Sequence, residues 1–381
     1  MLSFLTSVSA ASCPTFRVIH QPDFSLINAS VAPDNKYGIE DGIVVRTSGG
    51  ALYMIGSEMY ADPKWVNMRL GIWRSEDGYK WARQRSLRQS SGVANGTDQH
   101  AASWGPFLLW DPTSSRWALS YVSYRSGGAP FPGWSTNWDG QIFFTYAPVT
   151  GDAGLDSDFG DSGDWRSTDR MLLGPEPLGP PWPPCQGLQG TDSMYPYQLA
   201  DGTWAALVGT SHQEASWRPV ALGEGKWFVS LATAPTLNGP WTRHNPHSRP
   251  ADAPCVNISN GHTENPIVSR QRDGGFLAIF DHLAAQSRGF GVSCSADGMQ
   301  WDSASVVEVG GGVRTPLGLI ELQPSELAAH AQRIAAYGVT TTEQILAANS
   351  SVYFAFYTQT VGGWEQFRTV LVEQLPAAAA R

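Results

Sequence analysis

Residues 37–60 read YGIEDGIVVRTSGGALYMIGSEMY, and this stretch decides the fold class. A polar cluster, a short apolar run, a Gly-Gly turn and a second apolar run follow one another, which is the pattern of an antiparallel hairpin. The order returns in residues 103–124, SWGPFLLWDPTSSRWALSYVSY, with Asp-Pro-Thr-Ser-Ser at the turn. It returns again in residues 191–209, TDSMYPYQLADGTWAALVG, around Asp201-Gly202, and in residues 262–283, HTENPIVSRQRDGGFLAIFDHL. A fifth copy is interrupted, VRTPLGLIEL at 313–322 resuming as SVYFAFYTQT at 351–360. Taking Asp41, Trp104, Asp192, Glu264 and Thr315 as equivalent points gives intervals of 63, 88, 72 and 51 residues. Five units of about four short strands predict an all-β, single-domain, five-bladed β-propeller.

Each unit also carries a second signature. RSEDGYKW at 74–81 and CSADGMQW at 294–301 share Ser-x-Asp-Gly-x-x-Trp, and LATAPTLNGPW at 231–241 substitutes Asn-Gly-Pro before its Trp. A polar turn closed by a buried indole is a structural staple at a hairpin end. Residues 323–350 break the pattern: SELAAHAQRIAAY has helical spacing, and Thr340 to Glu343 reads as a capping box, so a helical insertion is expected in blade five.

Composition agrees and excludes other classes. Among 381 residues, 42% are hydrophobic and only 15% charged, which rules out a disordered chain. A net charge of -9 with no basic stripe argues against nucleic acid as a partner. No apolar run reaches the ~18 residues of a membrane span. Residues 1–12 (MLSFLTSVSAAS, ahead of Cys13) end in small residues like a signal peptide but lack its basic start, and an N-terminal strand is the competing reading. N-glycosylation sequons stand at Asn28, Asn95, Asn257 and Asn349. The four cysteines, Cys13, Cys185, Cys255 and Cys294, form no CxxC pair and allow three disulfide pairings, which the sequence leaves open. A secreted, disulfide-bonded glycoprotein, monomeric, is expected.

In a propeller the first strand of every blade lines the central channel, so polar residues at its start converge at one mouth. Those positions hold Glu40 and Asp41 in blade one, Trp104-Gly105-Pro106 in blade two, Asp192 in blade three, Glu264 in blade four and Arg314-Thr315-Pro316 in blade five. Three carboxylates in one acidic pit suit glycoside hydrolysis, one protonated to donate to the leaving oxygen and another ionised to act on water or carbon. Crowded like charges raise one pKa and so divide these roles without a metal. Glu40 competes with Asp41, because alternation along a strand sends the two to opposite faces. Trp104, Tyr195 and other aromatics are candidates to stack on sugar rings. Arg314 is placed either to bind a substrate hydroxyl or carboxylate or to neutralise the pit.

These motifs resemble the propeller glycoside hydrolases of family 43 and its clan, the arabinanases, arabinofuranosidases and β-xylosidases. Asp41-Gly42 stands where that family has Asp-Pro, Trp104-Gly105-Pro106 where it has Trp-Ala-Pro, and Glu264-Asn265-Pro266 where it has Glu-Gly-Pro. The frame from Asp192 to Asp201-Gly202 is similar to its blade-three motif, and the likeness spans about residues 37–320. The resemblance implies Asp41 as general base, Glu264 as general acid, and Asp192 as the residue that orients the acid and tunes it. It implies an inverting enzyme on a plant- or algal-type carbohydrate, with the working carboxylates roughly 6.5–9.5 Å apart. The family's calcium-holding His has no counterpart, so no cofactor or metal is assigned, and His262 is expected to hydrogen-bond substrate. The alternatives are a non-catalytic glycan-binding propeller and a retaining fructan-acting enzyme, although the latter's Asn-Asp-Pro-Asn, Arg-Asp-Pro and Glu-Cys motifs do not occur.

Overall fold

The structure is a computed structural model that describes residues 13–93, 97–125, 140–156, 170–174, 176–178, 187–212, 226–244, 263–271, 274–282, 288–302, 305–323, 326–327 and 351–375. Strand β1 (Thr15–His20) precedes the first repeat, β2 (Gly38–Arg46), β3 (Leu52–Met59), β4 (Met68–Ser75) and β5 (Ala82–Gln89). The second comprises β6 (Ala102–Asp111), β7 (Arg116–Tyr124), β8 (Gln141–Tyr146), a one-turn helix α1 (Ala153–Asp156) and β9 (Arg170–Leu173). The third runs β10 (Glu176–Leu178), β11 (Gly187–Gln198), β12 (Trp204–His212), β13 (Lys226–Ala234) and β14 (Thr242–His244). The fourth is β15 (Thr263–Arg270), β16 (Phe276–His282), β17 (Gly289–Ser295) and β18 (Ser305–Glu308), and β19 (Val313–Glu321), β20 (Val352–Val361) and β21 (Trp364–Leu375) follow.

The all-β expectation holds, and the sheets follow the repeats. β6 to β9, β10 to β14 and β15 to β18 are separate sheets of consecutive strands. β19, β20 and β21 continue into β2 to β5, but the parallel join between β21 and β2 is one residue pair, Gly38 with Glu365. A Cβ on Gly38 would meet the Glu365 carbonyl oxygen at 2.2 Å, so only glycine lets the two backbones meet there. β1 adds to the far side of β21, Val18 opposite Val372, and gives that group its fourth strand. This closure joins segments at opposite ends of the chain, and the Cys13–Cys294 disulfide ties the same N-terminal segment to β17.

Apolar side chains of neighbouring sheets pack face to face, so the core lies between sheets. Trp204 and Val208 of β12 pack with Trp104 and Val122 of the second repeat, and Phe276 and Phe280 of β16 with Leu207 and Val229 of the third. The first strands touch in sequence: β2 against β6, β6 against β11, β11 against β15, β15 against β19, and β19 against β2. The five first strands therefore close into a ring.

The Ser-x-Asp-Gly-x-x-Trp turns are architectural, as expected. Ser75 Oγ accepts from Gly78 N at 2.9 Å, Asp77 accepts from the Tyr79 and Lys80 amides, and Trp81 Nε1 donates to the Gly78 carbonyl at 3.0 Å. Ser295 and Asp297 repeat the first two contacts between β17 and β18, and Trp241 repeats the third between β13 and β14. Of the segment expected to be helical, residues 328–350 lie outside the described residues; Glu326, at its start, pairs with Arg46 at 2.9 Å. Residues 1–12, Cys185, Cys255, His262, Asn95, Asn257 and Asn349 also lie outside them. Asn28 is described, and its side-chain oxygen accepts from the Ser30 amide at 2.9 Å in a tight turn. Among the described residues no helix is long and apolar enough to cross a membrane.

Candidate active site

Every first strand breaks its pairing register near its start. The breaks fall between Glu40 and Gly42, Trp104 and Phe107, Thr191 and Ser193, Glu264 and Ile267, and from Val313 to Gly318. A β-bulge sets an extra residue out of the ladder and re-aims its side chain. The residues so released are Asp41, Gly105-Pro106, Asp192, Asn265-Pro266 and the segment around Thr315. Asp41, Gly105 and Asn265 have φ of 46°, 55° and 51°, a left-handed region that Gly, Asn and Asp enter most readily. Gly42 is required beside Asp41: its φ is 148°, and a Cβ there would sit 2.0 Å from the Ile55 carbonyl oxygen.

The bulges bring Asp192 of β11 and Glu264 of β15 each within electrostatic reach of Asp41 on β2. Burial first, then the charges of Glu40, Asp192 and Glu264, push the Asp41 carboxyl well above the usual range, against the pull of Arg314. Asp41 Oδ1 accepts from Asn265 Nδ2 at 2.9 Å and Thr315 Oγ1 at 3.0 Å. Burial and the Glu40 charge push Glu264 up to about 7, with Arg314 opposing. Asp192 is buried and accepts from the Tyr124 hydroxyl at 2.7 Å.

Alternation does not separate Glu40 from Asp41. The bulge between them cancels the two-residue period, and both carboxylates bear on the same cluster. Glu40 is spent internally: Arg314 Nε donates to it at 2.9 Å, the Arg314 Nη2 pairs with the same oxygen, and Trp65 Nε1 donates to its second oxygen at 2.9 Å. Burial raises the Glu40 carboxyl, but Arg314, Trp65 and Lys64 together outweigh it and hold it below its ordinary value. Arg314 is held firmly protonated by Glu40, with Asp281 and Glu264 adding to the pull and burial opposing. Of the two roles open to Arg314 in the sequence, the structure shows the neutralising one.

Two predicted sugar-stacking aromatics sit in the core. Trp104 is buried edge-on against Tyr124, ring centroids 5.3 Å apart, and Tyr195 packs edge-on against Phe107 at 5.5 Å. Both lie on strands buried on each face, where a large ring is taken up by the neighbouring sheet. Thr315 marks the blade-five position at the mouth in the sequence, whereas Tyr124, Asn265 and Trp65 were not singled out from it as contributors to the cluster. Trp65 arrives because antiparallel pairing sets the β3–β4 loop at the same end as the start of β2. Asn265 alone left a signal, as the one residue by which Glu-Asn-Pro departs from Glu-Gly-Pro.

Calcium takes six to eight oxygen ligands. Among the described residues the one grouping with ligand atoms in mutual reach is Cys13, Cys294 and Asp302, and its sulfurs are joined in a disulfide. That donor set does not fit the ion.

No protein-family model and no curated protein matches the chain. Solved structures do. A family 117 glycoside hydrolase of the marine bacterium Zobellia galactanivorans superposes over 95% of this chain and 90% of its own, with TM-score 0.53 at 12% identity. An exo-β-1,3-galactanase of Clostridium thermocellum matches 96% of this chain and 68% of its own, TM-score 0.52 at 9% identity. A family 43 β-1,3-galactosidase matches 93% of this chain and 60% of its own, TM-score 0.50 at 10% identity. At such identities the likeness is one of fold, and the fold is the one these glycoside hydrolases share.

Proposed function

We propose that this chain is a single-domain, five-bladed β-propeller glycosidase that hydrolyses a glycosidic bond with paired carboxylates. The observation that carries the proposal is that register breaks on three first strands fall at Asp41, Asp192 and Glu264, and that the charges of the latter two bear on the buried Asp41 carboxyl. Glu264, raised to about 7, is still largely protonated in mildly acidic water and serves as general acid to the leaving oxygen. Burial and the acidic neighbours push the Asp41 carboxyl upward, and the two donors to its Oδ1 oppose them by favouring the charged form, in which Asp41 is the base that takes a proton from the attacking water. Asp192 supplies the third charge, and water attack opposite the leaving group inverts the anomeric centre.

The names of the fold's relatives support a carbohydrate substrate of plant or algal type. Arg314, a cation acting on Asp41, is already committed to Glu40, which favours an uncharged sugar over a uronide. Five sheet units and the ring of first strands support the blade count. The Cys13–Cys294 disulfide supports a secreted chain and the sequons an N-glycosylated one, proposed to work as a monomer without a resident metal.

The test is turnover on arabinofuranosides, xylosides, galactosides and fucosides, as aryl glycosides and as oligosaccharides, with Glu264→Gln as control. The oligosaccharide activity of the variant is expected to fall by several orders of magnitude. Aryl glycosides with good leaving groups need no acid and should lose far less. NMR of the first-formed product should show the inverted anomer. Retained sugar binding with no turnover on any substrate would make the chain a glycan-binding protein.

A further inference from the structure

Three first strands meet at a single oxygen. Asp41 Oδ1 belongs to β2, β15 contributes the amide of Asn265 at 2.9 Å, and β19 contributes the hydroxyl of Thr315 at 3.0 Å. Asn265 is buried and holds a φ of 51° immediately before Pro266, although a proline biases its predecessor toward extended backbone. Its own carbonyl oxygen is buried and finds no donor among the described residues. An unpaired buried acceptor costs free energy. What offsets that cost is the charge-assisted bond its other amide atom makes to Asp41.

We propose that Asn265 is a positioning residue for the catalytic base: with Thr315 it fixes Asp41 in one orientation and favours its ionised form, leaving the second oxygen to take the proton from water. The proposal rests on the glycosidase reading, since it assigns Asp41 a proton to accept. The charged groups facing Asp41 are Glu40 on its own strand, Asp192 on β11, Glu264 on β15 and Arg314 on β19. Three of these four are carboxyls that, with burial, push Asp41 upward, so without its donors Asp41 would stay protonated to a higher pH. A purely structural Asn265, tying β15 to β2, would influence stability but not that titration.

The experiment compares the wild-type protein with Asn265→Gly, because glycine adopts the left-handed backbone without strain and preserves the strand. Asp41 is titrated by carboxyl 13C NMR, assigned with Asp41→Asn, and the pH profile of kcat/KM is measured in parallel. In Asn265→Gly the Asp41 titration is expected to rise by about one pH unit, and the acidic limb of the profile to move with it. kcat should fall by about tenfold while KM changes little. Thr315→Val should shift the titration the same way. Asn265→Asp, similar in shape but without the donor, should shift it further and serves if glycine loosens the strand. An Asp41 titration unmoved in these variants overturns the proposal, even where turnover drops. If the wild type hydrolyses nothing, the glycosidase reading fails, while the NMR titration still decides whether Asn265 governs Asp41.

Discussion

Glu58 and Glu264 are both carboxylates set among strands, but their surroundings differ in kind. Glu58, on β3, has no exposure and is fully compensated: Arg69 Nε donates at 2.6 Å, Arg83 Nη2 at 2.8 Å and Trp73 Nε1 at 2.8 Å. Two cations share its one charge. At the start of β15 the ratio is reversed, because Glu40, Asp41, Glu264 and Asp281 all draw on Arg314. A buried charge with partners in excess is a fastening, whereas carboxylates in excess over cations keep protons that water would remove. Protein architecture and candidate chemistry thus use one residue type and differ in how completely its charge is met.

Exchanging each glutamate for glutamine separates the two uses. Glu264→Gln should abolish turnover on oligosaccharides and leave the fold intact. Glu58→Gln should do the reverse, leaving Arg69 and Arg83 without their counter-charge and lowering unfolding free energy by about 3 kcal/mol. Urea denaturation beside initial rates reads both effects. Equal losses of stability from the two variants would erase the distinction.

The same contrast has a pH signature. A carboxyl raised in the folded state binds its proton more tightly there than in the unfolded chain, so its contribution to stability is complete below the unfolded value. Between the ordinary value of 4.5 and about 7 the unfolded chain has released that proton and the folded one has not, and stability declines as pH rises. Glu264→Gln removes this loss. Its stability relative to wild type should climb between those two pH values and level off above, by about 3 kcal/mol in total. Melting curves across that window check it, and a flat difference would show that Glu264 is not strained by burial.

The hairpins were legible because apolar alternation and Gly-rich turns are local: 37–60 became β2 and β3, and 191–209 became most of β11 and β12. Repeat phase set Asp41, Asp192 and Glu264 at equivalent points of three units, and each stands at a register break of a first strand. The bulges were not legible. Period-two alternation forces a choice between Glu40 and Asp41, and one extra residue out of register dissolves that choice without changing composition. The pairing of β1 with β21 was invisible for another reason, since it joins positions more than 350 residues apart, such as Arg17 and Glu373. Aromatic residues show a third limit, since the sequence carries their number but not which face a neighbouring sheet covers: Trp104 is buried and Tyr195 partly buried.

Tyr124 carries the smallest predicted effect and discriminates most finely. It lies in SYVSY, a plain alternating strand, and is fully buried against Trp104, so its ring is architecture by every packing measure. Its hydroxyl nevertheless donates to Asp192 at 2.7 Å. Tyr124→Phe keeps the ring and its contact with Trp104 while removing one charge-assisted bond of the kind worth about 1.5 to 3 kcal/mol. If Asp192 acts in the reaction, kcat should fall by about tenfold and the melting temperature should drop only slightly. If Asp192 belonged with Glu58 among the fastenings, the cost would appear in the melting temperature and kcat would hold. One hydroxyl therefore decides on which side of the division the third carboxylate stands.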